Sequence, residues 1–338
     1  MKKLFLLLVC VFSVSWQSIK SMKRLLKNEN LEIMELHGRT ASNPIWIEFF
    51  DKNIGKLSLK EDSRDFLYCE ISKADGLDEL KTYLRDHLEL KNLGIRLSEG
   101  IAFTDNFFEN LTHIEFLSIK KNKLSKIPES ISNLNNLVFL DVSENKLTRI
   151  NVKLPASLQQ LAIVNNNLKK LSTRTLPGGL QVLLLAGNEI KELPSYITNL
   201  TSLTWLSLTK NKLSLLPYDI GNLVNLESLS LAENQIVGLP CSIGKLIKLK
   251  SFTIKDNNLT FIPEVVLNLT NLDRIDFSNN YIDPWPRELV EKGIDADLPP
   301  GFLGFGVQKL ASSQPVSFLK KIGNKINLAF GSIFSRKA

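Results

Sequence analysis

Cysteine is nearly absent from this chain: Cys10, Cys69 and Cys241 are the whole set in 338 residues. Three scattered thiols cannot make the paired framework of a small secreted domain, and none stands at a metal-binding spacing. Histidine is as scarce, and His37, His87 and His113 have no cysteine or carboxylate partner at a spacing that would make a catalytic or metal site. They read as surface or capping residues. No glycine loop of the kind that cradles phosphate is present, and the stretch from Pro299 to Gly306 reads as a flexible apolar connection. No cofactor is therefore expected. Acid is missing from the end of the chain: none follows Asp297, whereas Lys309, Lys320, Lys321, Lys325, Arg336 and Lys337 lie beyond it. The net charge of +7 is thus carried almost wholly by the tail. The near-neutral remainder argues against a nucleic-acid groove.

A long apolar run is also lacking. Leu4 to Val14, behind Lys2 and Lys3, is eleven residues, too short to span a bilayer and about right for a secretory signal. Residues 1–15 are accordingly expected to be a signal peptide, which would send the chain to the cell envelope or outside the cell. The alternative is an uncleaved segment of a cytoplasmic protein.

What the chain does have is an ordinary share of apolar and charged residues, 43% and 23%, enough to fold, and one pattern said eight times. Leu111, Ile114, Leu117, Ile119, Asn122 and Leu124 recur as Leu134, Leu137, Leu140, Val142, Asn145 and Leu147, and so on to residue 282. Asn122, Asn145, Asn166, Asn188, Asn211, Asn234, Asn257 and Asn280 keep the phase, with gaps of 23, 21, 22, 23, 23, 23 and 23 residues. Alternation of apolar and polar residues before each asparagine predicts a short strand with one face in the core and one in solvent. Stacked units would pair these strands in parallel. The asparagine falls where the chain leaves the strand inside the stack, and its amide can satisfy both backbone donors and acceptors there. Five units continue with Ile or Leu and then Pro128, Pro194, Pro217, Pro240 or Pro263. Proline cannot join a ladder, so the convex side is expected to be extended or a short helical turn.

This spacing resembles the leucine-rich repeat family, in the 23-residue form found in bacterial proteins and in cytosolic eukaryotic scaffolds. The resemblance implies an α/β solenoid, an arc with a parallel sheet on its concave side, and a protein-recognition role without catalysis. Leu154 to Leu161 and Leu176 to Leu183 are similar to the shorter units of secreted bacterial ubiquitin-ligase effectors. Those effectors carry a large catalytic domain with a nucleophilic cysteine. Here the tail that follows the array contains no cysteine, so that activity is not implied.

Outside the array, residues 16–87 are read as a linker and an α+β N-terminal cap. Short strands are expected at Leu31 to Ile33, Ile45 to Ile47, Leu57 to Leu59 and Phe66 to Ile71. Helical spacing of Leu77, Leu80, Leu84 and Leu88 predicts a helix near 77–87. Such a cap would cover the apolar end that a solenoid otherwise exposes. Residues 88–110 are read as a degenerate first repeat and a connection, with Leu93 where the asparagine belongs. The array itself is placed at 111–285.

The variable positions carry the functional expectation. Six and four residues before each asparagine, the strand faces solvent, and there Phe116, Phe139, Val182, Leu184 and Trp205 are apolar; Val164 and Ala186 extend the group two residues before theirs. Apolar side chains gathered on an open sheet mark a partner site. Cover by the N-terminal region, a loop or the tail is the other reading. Lys120, Lys121, Glu144, Lys210 and Glu233 would form a mixed polar rim. In residues 286–338, read as a C-terminal cap and tail, Phe318, Ile322, Ile326, Phe330 and Phe334 recur every four residues with Lys320, Lys321 and Lys325 beside them. That basic amphipathic pattern fits either a cap docked on the array or a segment on an anionic membrane surface.

Overall fold

The computed structural model describes residues 31–36, 46–51, 55–60, 66–71, 75–86, 88, 90–171, 175–283 and 295–296. One sheet of fourteen strands runs through them in strict sequence order. Strands β1 (Leu31–Leu36), β2 (Trp46–Asp51), β3 (Gly55–Lys60) and β4 (Phe66–Ile71) pair antiparallel as hairpins. Helix α1 (Asp75–Asp86) then carries the chain back to β5 (Asn92–Leu97), which pairs parallel with β4. Leu77, Leu80, Tyr83 and Leu84 of α1 are buried with Cys69, Ile71 and Leu93, as its helical spacing predicts. The α+β region therefore ends the solenoid by continuing its sheet, and β4, α1 and β5 form a parallel crossover of the kind the later units repeat.

Eight three-residue strands follow, one per unit: β6 (Phe116–Ser118), β7 (Phe139–Asp141), β8 (Gln160–Ala162), β9 (Val182–Leu184), β10 (Trp205–Ser207), β11 (Ser228–Ser230), β12 (Ser251–Thr253) and β13 (Arg274–Asp276). All pair parallel and in register, and β14 (Asp295–Ala296) adds a further parallel strand. Their middle residues, from Leu117 to Ile275, are buried. Together with the leucines that follow they form one continuous core from Cys69 to Phe277.

The register corrects one expectation. Leu93 pairs with Leu117 and Asn92 with Phe116, so Leu93 is the buried middle residue of its strand and Ser98 stands where later units have asparagine. The Ser98 N–H donates to Ile71 O at 2.8 Å.

On the convex side the five proline units make single 3-10 turns at Glu129–Asn133, Ser195–Asn199, Ile220–Asn222, Cys241–Lys245 and Glu264–Asn268. In each, the proline carbonyl accepts the N–H three residues on, at 3.0–3.2 Å. The two shorter units close instead with a tight turn, Leu158 N–H to Pro155 O at 3.2 Å and Leu180 N–H to Pro177 O at 3.3 Å, which is how they span the same stack with fewer residues. The turns touch from unit to unit. A Cβ on Gly221 would lie 2.0 Å from Ser242 O, and one on Gly244 2.5 Å from Val265 O.

Asparagine binds the units together along the inner edge. Asn145 Oδ1 accepts from Asn122 N–H (2.9 Å) and Leu124 N–H (3.0 Å), and its Nδ2 donates to Ile119 O (3.0 Å) and Val142 O (2.9 Å). Asn166, Asn188, Asn211, Asn234, Asn257 and Asn280 repeat this reach into the preceding unit. The residue before each of the eight is left-handed: Lys121, Glu144, Asn165, Gly187, Lys210, Glu233, Asp256 and Asn279 have φ between 53° and 68°. Seven of these are not glycine, and the backbone cost of order 1–3 kcal/mol at each is held in place by the amide bonds beside it.

Residues 1–15, the linker residues 16–30 and the tail positions Phe318, Lys320, Lys321, Ile322, Lys325, Ile326 and Phe330 lie outside the described residues, as do His37 and His87. His113 is half-buried. No helix among the described residues is long and apolar enough to cross a membrane.

Candidate protein-binding surface

The concave face is built from the first and third residues of each strand, because the middle residue is committed to the core. In register, the first row reads Phe116, Phe139, Gln160, Val182, Trp205, Ser228, Ser251 and Arg274. The third row reads Ser118, Asp141, Ala162, Leu184, Ser207, Ser230, Thr253 and Asp276. The apolar side chains thus all lie in the first five units, among Ser118, Asp141, Gln160 and Ser207, whereas the last three units present only hydroxyl and charged ones.

Within that apolar half the residues fall into two groups. Phe116 and Phe139, opposite each other on β6 and β7, are half-buried and stack with ring centroids 4.2 Å apart and planes 5° from parallel. Val182, Leu184 and Trp205 sit together on β9 and β10, with Trp205 opposite Val182. Val182 and Leu184 are half-buried, while Trp205 is 46% exposed. The exposed Gln160 interrupts the first row between the groups. Ala162 and the half-buried Val164 continue the apolar surface past it, and the Val164 N–H is held by Ser143 Oγ at 3.0 Å.

The rim is formed by the left-handed residues and their neighbours. Glu144 binds Lys120 at 2.9 Å and Lys121 at 3.3 Å, and Glu233 binds Lys210 at 3.5 Å. The hydrogen bond from Lys120 is the main cause that holds the Glu144 carboxyl below the usual carboxylate range, and the same bond raises the Lys120 ammonium. These pairs are exposed and worth little to stability. They do bring charge of both signs to the edge of an apolar floor, which is the arrangement of an interface with an apolar centre and a polar rim.

A second concavity lies on the flank between residues 98–106 and the turn of the first unit. Four of its charges are paired with each other, Lys123 with Glu99 at 2.7 Å and Lys126 with Asp105 at 2.6 Å. The flank farther along carries residues that strand alternation does not reveal: Leu215, Tyr218, Val237 and Phe261 are 59%, 76%, 49% and 52% exposed. The signal for them lies in comparing one place across all units, because they follow the asparagine and belong to no strand.

Residues 179–236 match the leucine-rich repeat family model. No curated protein matches the chain. Among solved structures it is similar to a leucine-rich repeat protein of Leptospira interrogans, 28% identical over 62% of this chain, with a TM-score of 0.46. That match takes in 60% of the Leptospira protein's length. A chain from the octameric complex of latrophilin 3, Unc5D and the leucine-rich repeat protein FLRT2 is 23% identical over 58% of this chain and 70% of its own, with a TM-score of 0.50. The leucine-rich repeat ectodomain of the Arabidopsis thaliana receptor kinase GASSHO1/SCHENGEN3, solved with Casparian strip integrity factor 2, is 26% identical over 62% of this chain and 30% of its own, with a TM-score of 0.44. The asparagine phase that runs through 179–236 is unbroken from Asn122 to Asn280, and the strands it sets are paired without a gap, so the leucine-rich repeat fold matched at 179–236 extends through the whole array.

Proposed function

We propose that this chain is a non-catalytic recognition protein that holds a protein partner on the concave face of units one to five. Repeats of this family serve in general as protein-interaction modules. One observation carries the assignment to this surface: an apolar group including a stacked aromatic pair and the exposed Trp205 lies on an open sheet whose core positions are already filled by other residues. Large aromatic side chains at the centre of a contact commonly supply most of its binding energy. Export through residues 1–15 would have that partner meet the protein in the cell envelope or outside the cell, and N-terminal sequencing of the mature chain tests this.

The binding experiment is an affinity capture that compares the wild-type chain with Trp205→Ala, Leu184→Asp and the polar-half control Ser251→Ala. A partner retained by wild type and by Ser251→Ala but lost by the other two supports the reading. Equal retention by all four chains would remove the concave apolar group from the function.

A further inference from the structure

The flank that follows the asparagine ladder changes character along the array. Four residues after their asparagines, the first four units present Lys126, Arg149, Lys170 and Glu192, all exposed. The fifth and seventh units present Leu215 and Phe261 at that place, and the sixth has Gly238 with the exposed Val237 beside it. Tyr218, next to the fifth unit's proline, adds an aromatic ring to the same side. None of these residues is required by the repeat, since four other units put charge there. An exposed apolar ridge confined to three consecutive units is a surface that something covers.

The stretch of described residues that ends at Asp283 finishes on this flank. Asp283 stands three residues after Asn280, the place Val237 holds in its own unit, and its N–H donates to Thr260 O at 3.2 Å on the seventh unit. Strand β14 is parallel to β13 with Arg274 opposite Asp295 and Ile275 opposite Ala296. The segment beginning at 297 therefore starts from the strand end from which the other units run onto this flank. It contains residues 297–338, ample length to reach back over three units at about 5 Å per strand. Charge agrees as well. Asp219, Asp256, Glu264 and Asp283 lie along or beside the ridge, while Lys212 is engaged by Glu189 at 2.9 Å and Lys210 by Glu233. Beyond Asp297 the segment is purely basic.

We propose that the C-terminal segment, residues 297–338, folds back onto the flank of units five to seven, with the four-residue apolar repeat of Phe318, Ile322 and Ile326 on the Leu215 and Phe261 ridge and its lysines toward the acidic groups. The segment is then an intramolecular strap on the half of the array opposite the concave aromatic pair, which leaves that pair open to a partner.

The protein carries its own reporter. Cys241 is exposed and follows Pro240 as Tyr218 follows Pro217 one unit earlier, so it stands in the ridge. Cys69 is fully buried. In the full chain with Cys10→Ser, the rate at which a maleimide labels Cys241 is compared with the rates in two further full-length chains. One carries Leu215→Glu and Phe261→Glu, the other Phe318→Glu, Ile322→Glu and Ile326→Glu. The expected result is slow labelling in the parent and at least a ten-fold faster rate in both variants, independent of protein concentration. Equal rates in all three chains overturn the proposal, as does slow labelling that the tail substitutions leave unchanged. Protection that disappears on dilution assigns the ridge to a second copy, and protection that appears only with anionic phosphatidylserine vesicles assigns the tail to a lipid surface; either overturns it too.

Discussion

Phe116 and Phe139 lie face to face at 4.2 Å because each begins a strand and the two strands are parallel and in register. In-register pairing puts like positions at one level, so two phenylalanines in the same place of successive units can stack at close to the strand spacing of about 4.8 Å. The pair is thus both part of the floor and part of the fold. Trp205, opposite Val182 and more exposed, is less involved in packing.

That difference gives the first prediction. Trp205→Ala should lower unfolding stability by less than about 1 kcal/mol, in the range of surface substitutions, while weakening partner capture strongly. Phe116→Ala and Phe139→Ala should each cost more, and the double variant should show a coupling of about 0.5–1.5 kcal/mol from the lost ring contact. Urea titrations of the four variants beside the wild-type chain measure this. Additive losses for the two phenylalanines would show that the stack contributes nothing beyond burial.

The asparagine ladder should be costly to interrupt in its middle. Asn145→Ala would strand Asn122 N–H, Leu124 N–H and Ile119 O away from water, and each unpaired buried group costs about 1–3 kcal/mol. A loss of several kcal/mol is expected in equilibrium unfolding. Asn280→Ala, in the last described unit where the residue is only half-buried, should cost less than half as much. Similar losses at the two positions would mean that water does not reach the end of the ladder.

Glycine matters where the convex turns meet. Gly221→Ala places a Cβ 2.0 Å from Ser242 O, a backbone atom that cannot step aside, and should destabilise by about 1–3 kcal/mol as overpacking does. Gly178→Ala meets nothing within 4 Å and should be neutral or slightly stabilising through the unfolded chain. Thermal melts of both variants separate steric cost from glycine's flexibility. A neutral Gly221→Ala would show that the turns can slide apart.

Burial holds the Cys69 thiol well above the usual range. With the folded pKa raised, its contribution to stability is full below the unfolded value of about 8.5 and is lost as pH rises beyond that point. The urea midpoint of the wild-type chain should therefore fall faster between pH 8 and 10 than that of Cys69→Ala. Parallel curves for the two would show that the thiol ionises without unfolding the region around it.

Much of this architecture is legible in the chain itself. Alternation around Leu117 and its equivalents identifies the strands and their open face, and the amide chemistry of Asn145 explains why one residue type recurs. The same rules place α1 and the strand at Phe66–Ile71 from apolar spacing alone. Three features are not legible. The unit beginning at Leu88 lacks an asparagine, so its phase follows only once Leu93 is seen opposite Leu117. The left-handed residues are lysine, glutamate, aspartate and asparagine in seven of eight units; asparagine and aspartate tolerate that region, but at Lys121, Glu144, Lys210 and Glu233 the ladder imposes it. The flank ridge escapes for a different reason: a repeat template averages over Leu215, Val237 and Phe261, because no core contact constrains them.

The unbroken register from β6 to β13 has a consequence for how such a surface changes over time. Duplicating or deleting one block of 23 residues would move the aromatic pair relative to Trp205 by a single strand width, about 4.8 Å, together with the small rotation that each unit adds to the arc. The array works as a graduated rule: the span of its footprint can be lengthened or shortened in whole steps, and the side chains on the concave face stay on that face at each new setting.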